Sequence, residues 1–238
     1  MKKLLFSFMA IAVATLALSS CVFNAVTPEG EYTSKSYELP TFENIYVSSG
    51  MELILTQDST VSVKVETYEN IHEYINVEVV DNTLRLSKDL EVSFRNAEIK
   101  VYVNIASLDE IEASSGSHLN LTAGWVAEEL DIDMSSGSSA QGNIEIKEFS
   151  LKMSSGSDAT FSGKAEKFTL GSSSGSTLNA FDLEATNCSA DLSSGSYAEV
   201  FATGFLYAES SSGASIKYKG TSQIEVKTGS GGSVNRAE

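Results

Sequence analysis

Two histidines and two cysteines are the only imidazoles and thiols in the 238 residues, so most of the familiar catalytic and metal-binding chemistries have few places to reside. His72 lies in the polar stretch 68–74 (YENIHEY) and His118 lies just past a Ser-Ser-Gly. Both read as surface residues rather than general bases, far apart in sequence. No Cys/His spacing suits a metal site, and neither a calcium nonapeptide nor an EF-hand loop is present. What remains is carboxylate chemistry of the kind that cleaves polysaccharides, which needs clustered acids or a base with calcium. Asp131 and Asp133 alternate with Ile132 and would face outward together. Asp191 and Glu209 form the one stacked acidic pair that the repeat alignment below reveals, with Lys227 following in the same column. No base or third acid joins that pair, so a solvated edge is the simpler reading. No catalytic residue, metal or cofactor is expected.

The elements that would position these residues show in the serines. There are 39, and Ser-Ser-Gly recurs with its glycine at Gly50, Gly116, Gly137, Gly156, Gly175, Gly195 and Gly213. A degraded copy ends in Gly231. From Gly116 onward the glycines are 18 to 21 residues apart, a regularity that flexible linkers do not keep. Aligned on the glycine, the position seven before it holds Leu130, Phe149, Phe168, Cys188, Leu206 and Ile224. Five before it stand Ile132, Leu151, Leu170, Ala190, Ala208 and Val226. Apolar or small residues recur three and five after it, from Leu119 and Leu121 to Ile216 and Tyr218. Apolar positions two apart mark strands. Each unit therefore reads as strand, Ser-Ser-Gly corner, strand and polar return. Coils of about 19 residues predict an all-β fold, a right-handed parallel β-helix or β-solenoid. The glycines would turn the corners, and the serine hydroxyls would bond local backbone and one another from coil to coil. Cys188, in a core column, is expected to be a buried thiol.

The repeat is interrupted between Gly50 and Gly116. Ile45, Val47, Leu53 and Leu55 fit the solenoid columns, and then two-period strands appear at 61–66, 75–80, 83–87 and 99–105. Asp81-Asn82 supplies a turn signal. This predicts an antiparallel, β-rich N-terminal region over 31–113, including the first coil and packed against or capping the repeats of 114–238. At the other end 234–238 is too short to cap much, so a contact between copies is expected there.

Residues 1–20 read as an export signal: Lys2 and Lys3, an apolar run from Leu4 to Leu18, then small residues before Cys21. Leu18-Ser19-Ser20-Cys21 resembles a bacterial lipobox, which implies cleavage before Cys21, acylation of that cysteine and an envelope location, here the outer membrane. Residues 21–30 would be a short tether. No acidic run follows Cys21, which favours the periplasmic face. Cleavage takes the formal charge of −16 down by two lysines to −18. That acidity argues against nucleic acid, and it leaves acyl chains rather than basic residues to hold the membrane.

Tyr197, Phe201, Phe205 and Tyr207 fall in or near outward registers late in the array. Exposed aromatics stack on sugars or anchor protein partners, which makes these four the candidate ligand surface. Trp125 reads equally as core or as ligand platform.

The stretch 46–57 (YVSSGMELILTQ), then Asn82-Thr83-Leu84-Arg85-Leu86, Val101-Tyr102-Val103, Leu108-Asp109-Glu110-Ile111 and the Ser/Gly repeats together resemble the domain of unknown function 2807 family. It is described as an auto-transporter adhesin head GIN domain and is common in Bacteroidetes lipoproteins. Met51 and Glu52 depart from the Ile-Asn of that label. The resemblance covers roughly 40–230 and implies a β-solenoid in the cell envelope. The expectation is a non-catalytic adhesin that binds a glycan or a protein. Two alternatives stay open, a polysaccharide lyase or hydrolase on the same fold and a structural rod that self-associates.

Overall fold

A computed structural model describes residues 24–220 and 223–237. The export signal and Cys21 lie outside the described residues. The chain runs through β1 (Asn24–Val26) and β2 (Tyr32–Tyr37) into β3 (Asn44–Val47) and β4 (Glu52–Gln57). Then come β5 (Ser62–Tyr68), a 3-10 turn (Glu69–Tyr74), β6 (Ile75–Val80), β7 (Thr83–Lys88), β8 (Val92–Phe94) and β9 (Lys100–Ile105). β10 (Glu110–Ala113) opens the regular array, and β11 (His118–Met134), β12 (Ser139–Met153), β13 (Asp158–Ser172), β14 (Thr177–Leu192) and β15 (Tyr197–Ser210) each run from one corner to the next. β16 (Ser215–Lys219), β17 (Gln223–Thr228) and β18 (Ser233–Arg236) form its far end.

The array is a β-solenoid of stacked parallel strands. Leu130, Phe149, Phe168, Cys188 and Leu206 are partners in register from coil to coil, and all five are buried. Ile132, Leu151, Leu170, Ala190 and Ala208 form the next inward row. Alternation by two residues puts every second side chain inside, and stacking buries one coil's apolar row on the next.

The Ser-Ser-Gly corner is a two-residue turn. The amide of Ser117 donates to the carbonyl of Ser114 at 3.1 Å, and the later corners repeat this bond. Both central residues are left-handed, Ser115 at φ 53° and Gly116 at φ 72°, the signs of a type I′ turn. The coil-to-coil bonds here run through the backbone: Gly116 N–H donates to the Ser136 carbonyl, and Gly137 N–H to that of Ser155, each at 3.0 Å. Corner hydroxyls also reach the neighbouring coil, Ser196 Oγ donating to the Ser172 carbonyl at 3.0 Å and Ser117 Oγ to that of Val47 at 3.3 Å. They bond backbone as expected, and only the ladder of corner hydroxyl on corner hydroxyl is corrected. The serine after each glycine is the buried one, and it was not singled out by sequence. Ser176 and Ser196 donate their hydroxyls to the carbonyl that opens their own turn, at 2.8 Å each. Ser117, Ser138 and Ser157 are equally buried, so this column needs a side chain small enough to fit under the turn.

Away from that corner the inward alternation slips. Ile146 and Phe149, Ala165 and Phe168, and Ala185 and Cys188 are buried three residues apart, leaving polar pairs at the bend between them. Opposite charges meet there across coils, Lys147 with Glu128, and Lys167 with Glu148 at 2.9 Å. These pairs are exposed, so water and salt screen them and they add little to stability.

The N-terminal region is woven into the array rather than set beside it. β3 and β4 are a full coil, with Ile45 and Val47 on Ile111 and Ala113, and Leu53 and Leu55 on Leu119 and Leu121. Below them, out of sequence order, β7 and β9 pair in parallel with β3 and β4. Antiparallel pairing appears one layer further out: β6 on β7, β5 on β9, and β2 on β5. The antiparallel set is thus an end layer whose innermost strands imitate a coil. It covers the strand edges that a bare coil would present. Within the segment read as a tether, β1 pairs in parallel with β8, and the Glu29 amide donates to Asn70 Oδ1 at 2.8 Å.

Candidate functional site

The outward side chains of the strand before each corner stack in two rows. Four residues before the glycine the row runs Tyr46, Glu112, Asp133, Lys152, Gly171, Asp191, Glu209 and Lys227. Beside it lie the first serines of the turns. Together they line an open groove of about 630 Å³ from Tyr46 to Asp191 and Ser193, running along the stacking axis. Its floor drops at Gly171, which has no side chain. Its first wall is Tyr46, whose ring lies under the Arg85 guanidinium at 5.7 Å and whose hydroxyl is 3.4 Å from that of Ser114. Lys152 sits 3.5 Å from Asp133. The groove therefore offers a ring, a row of hydroxyls, and carboxylates already partly matched by a lysine.

Asp131 and Asp133 do face outward together, but they are not isolated. Asp131 is in register with Glu110, and Asp133 with Glu112, making a square of four carboxylates at one edge of the groove. Burial pushes the Glu110 carboxyl above the usual carboxylate range, and the charges of Glu112, Asp133 and Asp131 push it further. This overturns the reading of Asp191 and Glu209 as the one stacked acidic pair. The signal was present: Ile111, five residues before Gly116, extends the apolar column one coil earlier and carries Glu110 and Glu112 with it.

The four candidate aromatics do not form one patch. Phe205 and Tyr207 lie before the corner, on the groove's side, while Tyr197 and Phe201 lie after the preceding corner. Phe205 is exposed and the other three are half-buried. Charged neighbours cover them: Lys227 over Tyr207 at 4.9 Å and Lys219 over Phe201 at 4.9 Å. Tyr207 donates to Glu209, and Tyr197 to Glu199 at 2.8 Å. Burial, aided by that bond, pushes the Tyr197 phenol up to about 12.

Trp125 is core, fully buried. His72 is half-buried in the end layer, its Nε2 3.3 Å from the Thr33 carbonyl. His118 is exposed, between Glu52 and Ser139 in an outward row, with Nδ1 against the Ser139 hydroxyl. No serine is expected in a Gly-x-Ser-x-Gly, the spelling of nucleophile elbows, yet Gly171-Ser172-Ser173-Ser174-Gly175 has it. Here Ser173 opens a corner turn between β13 and β14, not a strand-to-helix turn.

Cys188 is buried among core side chains, and burial pushes its thiol up to about 12. In the unfolded chain the thiol ionises near 8.5. A raised acid pKa means that the unfolded state loses its proton first. Stability is then full below about pH 8.5 and falls as pH rises toward 12. With Cys21 replaced by Ser, Cys188→Ala should abolish an alkaline loss of about 2 kcal/mol by pH 10. Denaturant titrations of both proteins at pH 8 and pH 10 read it, and equal alkaline losses would place the thiol in solvent.

Residues 41–222 match the family model described as "Putative auto-transporter adhesin, head GIN domain". The chain belongs to that family. A solved structure described as a "putative adhesin" from Bacteroides fragilis NCTC 9343 superposes with TM-score 0.82 at 22% identity, over 89% of this chain and 99% of the other. A second "putative adhesin", from Parabacteroides merdae ATCC 43184, gives 0.71 at 19% identity over 90% and 99%. A "putative lipid binding protein" from Parabacteroides distasonis ATCC 8503 gives 0.75 at 18% over 90% and 100%. At these identities the likeness is one of fold. No match is found among the curated proteins. Membership accounts for the solenoid and for the opening coil over 44–57, whose β3 and β4 carry the quoted family stretch.

Proposed function

We propose that this chain is a non-catalytic adhesin of the cell envelope, held to the outer membrane by acyl chains on Cys21 and facing the periplasm. Its axial groove binds a hydroxyl-rich, uncharged glycan strand lying along the stacking direction. The observation that carries this reading is the groove itself: Tyr46 can stack on a sugar ring, and the corner serines and the carboxylates of Glu112, Asp133 and Asp191 can bond its hydroxyls. The groove's regular spacing suits a polymer of repeating units better than a compact ligand. Phe205 and Tyr207 continue the same side beyond Asp191. The family description and the fold shared with proteins described as adhesins support a binding role.

Gly171 provides the test. An added Cβ there meets nothing within 4 Å, and its backbone is not left-handed. Gly171→Gln should therefore leave the melting temperature within about 2 °C while filling the groove. On a glycan array, followed by titration of the best hit, its affinity should drop at least about tenfold. Undiminished binding moves the site elsewhere, and turnover of any bound polysaccharide makes the protein an enzyme instead.

A further inference from the structure

The last coil breaks the burial rule of those before it. Leu206, Ala208 and Ser210 of β15 are fully buried, yet their register partners in β17 are not: Ile224 is 38% exposed and Val226 45%. Among the described residues β17 pairs only with β15, and β18 only with β16. An uncovered apolar row beside unpaired strand edges is a template for another strand.

The charges on β17 select the occupant. Glu225 and Lys227 point outward on either side of Val226, which points inward. A strand meant only to repel others would carry like charges. Here the pattern Glu-Val-Lys is complementary to itself when reversed. Placed antiparallel to a second β17 with Val226 opposite Val226, each Glu225 faces Lys227 of the second copy. Each Ile224 then faces Thr228 of the second copy on the inward side. The period-two pleat keeps opposed side chains on one face, so the two interiors join into one core while both charge pairs stay outside.

We infer that this coil end is the interface of a tail-to-tail homodimer, formed by two-fold antiparallel pairing of β17 about Val226. Such an interface is isologous and closes at two copies, whereas tail-to-head stacking would grow without limit. The inference stands apart from the glycan reading, because it rests on Ile224, Val226 and the unpaired edge of β17, none of which lines the groove.

Sedimentation of the purified protein over a wide concentration range tests it with three variants. The wild type should pass from monomer to dimer and stop there. Glu225→Lys and Lys227→Glu each turn two attractive pairs into repulsive ones and should weaken the dimer roughly tenfold or more. The double swap restores both pairs in reverse and should recover wild-type association within about threefold. Both side chains are more than half exposed, so all three variants should keep the wild-type fold, read by circular dichroism at a dilution where every protein is monomeric. A strictly monomeric wild type, open-ended growth, or a dimer indifferent to the single reversals overturns the proposal. So does a double swap that stays as weak as the singles.

Discussion

Gly163→Ala should be among the most damaging single-methyl additions in the protein, costing about 3–5 kcal/mol, whereas Gly156→Ala should cost about 1 kcal/mol. Both glycines have positive φ, 109° and 70°. They differ in what a Cβ would meet. At Gly156, a corner, the space is open and nothing lies within 4 Å. Only the left-handed backbone is penalised, and Ala tolerates that at about 1 kcal/mol. At Gly163, inside β13, a Cβ would sit 2.0 Å from the carbonyl oxygen of Ile144 and 3.0 Å from its carbon and nitrogen. The obstacle is backbone of the neighbouring coil, in register with Gly163, so no rotamer change relieves it. Strain and overlap add, and the two coils must separate locally. Thermal denaturation should show Gly156→Ala within about 4 °C of wild type and Gly163→Ala lower by about 10 °C or more. Equal losses at the two sites would mean that the corner is as tightly covered as the strand interior.

That contrast also marks what the sequence makes legible. The corner glycines announce themselves through periodic neighbours, so their role could be read. Gly163 and its counterpart Gly220, whose added Cβ would lie 1.9 Å from the Ala202 carbonyl oxygen, have no such signature. They lie where the number of residues between columns varies, and closeness to the next coil is a three-dimensional property. The inward columns were legible because burial and stacking impose the same two-residue period on every coil. Strand direction was not: β7 and β9 alternate just as antiparallel strands do, yet pair in parallel with the coil that precedes them in sequence. Alternation records which face is buried, not which neighbour lies alongside. The aromatic quartet divides for a related reason. The chain bends between Phe201 and Phe205, where the register between β14 and β15 shifts, so outward positions on either side of the bend belong to different faces. For the groove, its rows follow from the column alignment, but its depth at Gly171 follows from the stacking of Lys152, Gly171 and Asp191.

Phe149→Ala should destabilise the array by about 3–5 kcal/mol, and Phe149→Leu by no more than about 2 kcal/mol. Phe149 is fully buried in β12, stacked on Phe168 of the next coil with centroids 5.3 Å apart and planes at 12°. Phe161 meets it edge-on at 5.2 Å and 72°. Truncation to Ala removes the transfer energy of the ring and leaves a cavity bounded by strands that their ladders hold apart, so collapse is limited. It also loses two aromatic contacts, each adding about 0.5–1.5 kcal/mol beyond area. Leu keeps most of the volume and sacrifices mainly those contacts. The same column shows how much local volume matters. Two coils on, Cys188 occupies the position of Phe149 with a far smaller side chain, and the larger Leu178 stands where the Phe149 coil has Ala140. Because coils couple mainly to their neighbours, the loss should concentrate between β11 and β13. Hydrogen exchange should then show protection falling in those strands more than in β15. A uniform fall along the whole array would mean that the solenoid unfolds as a single unit rather than coil by coil.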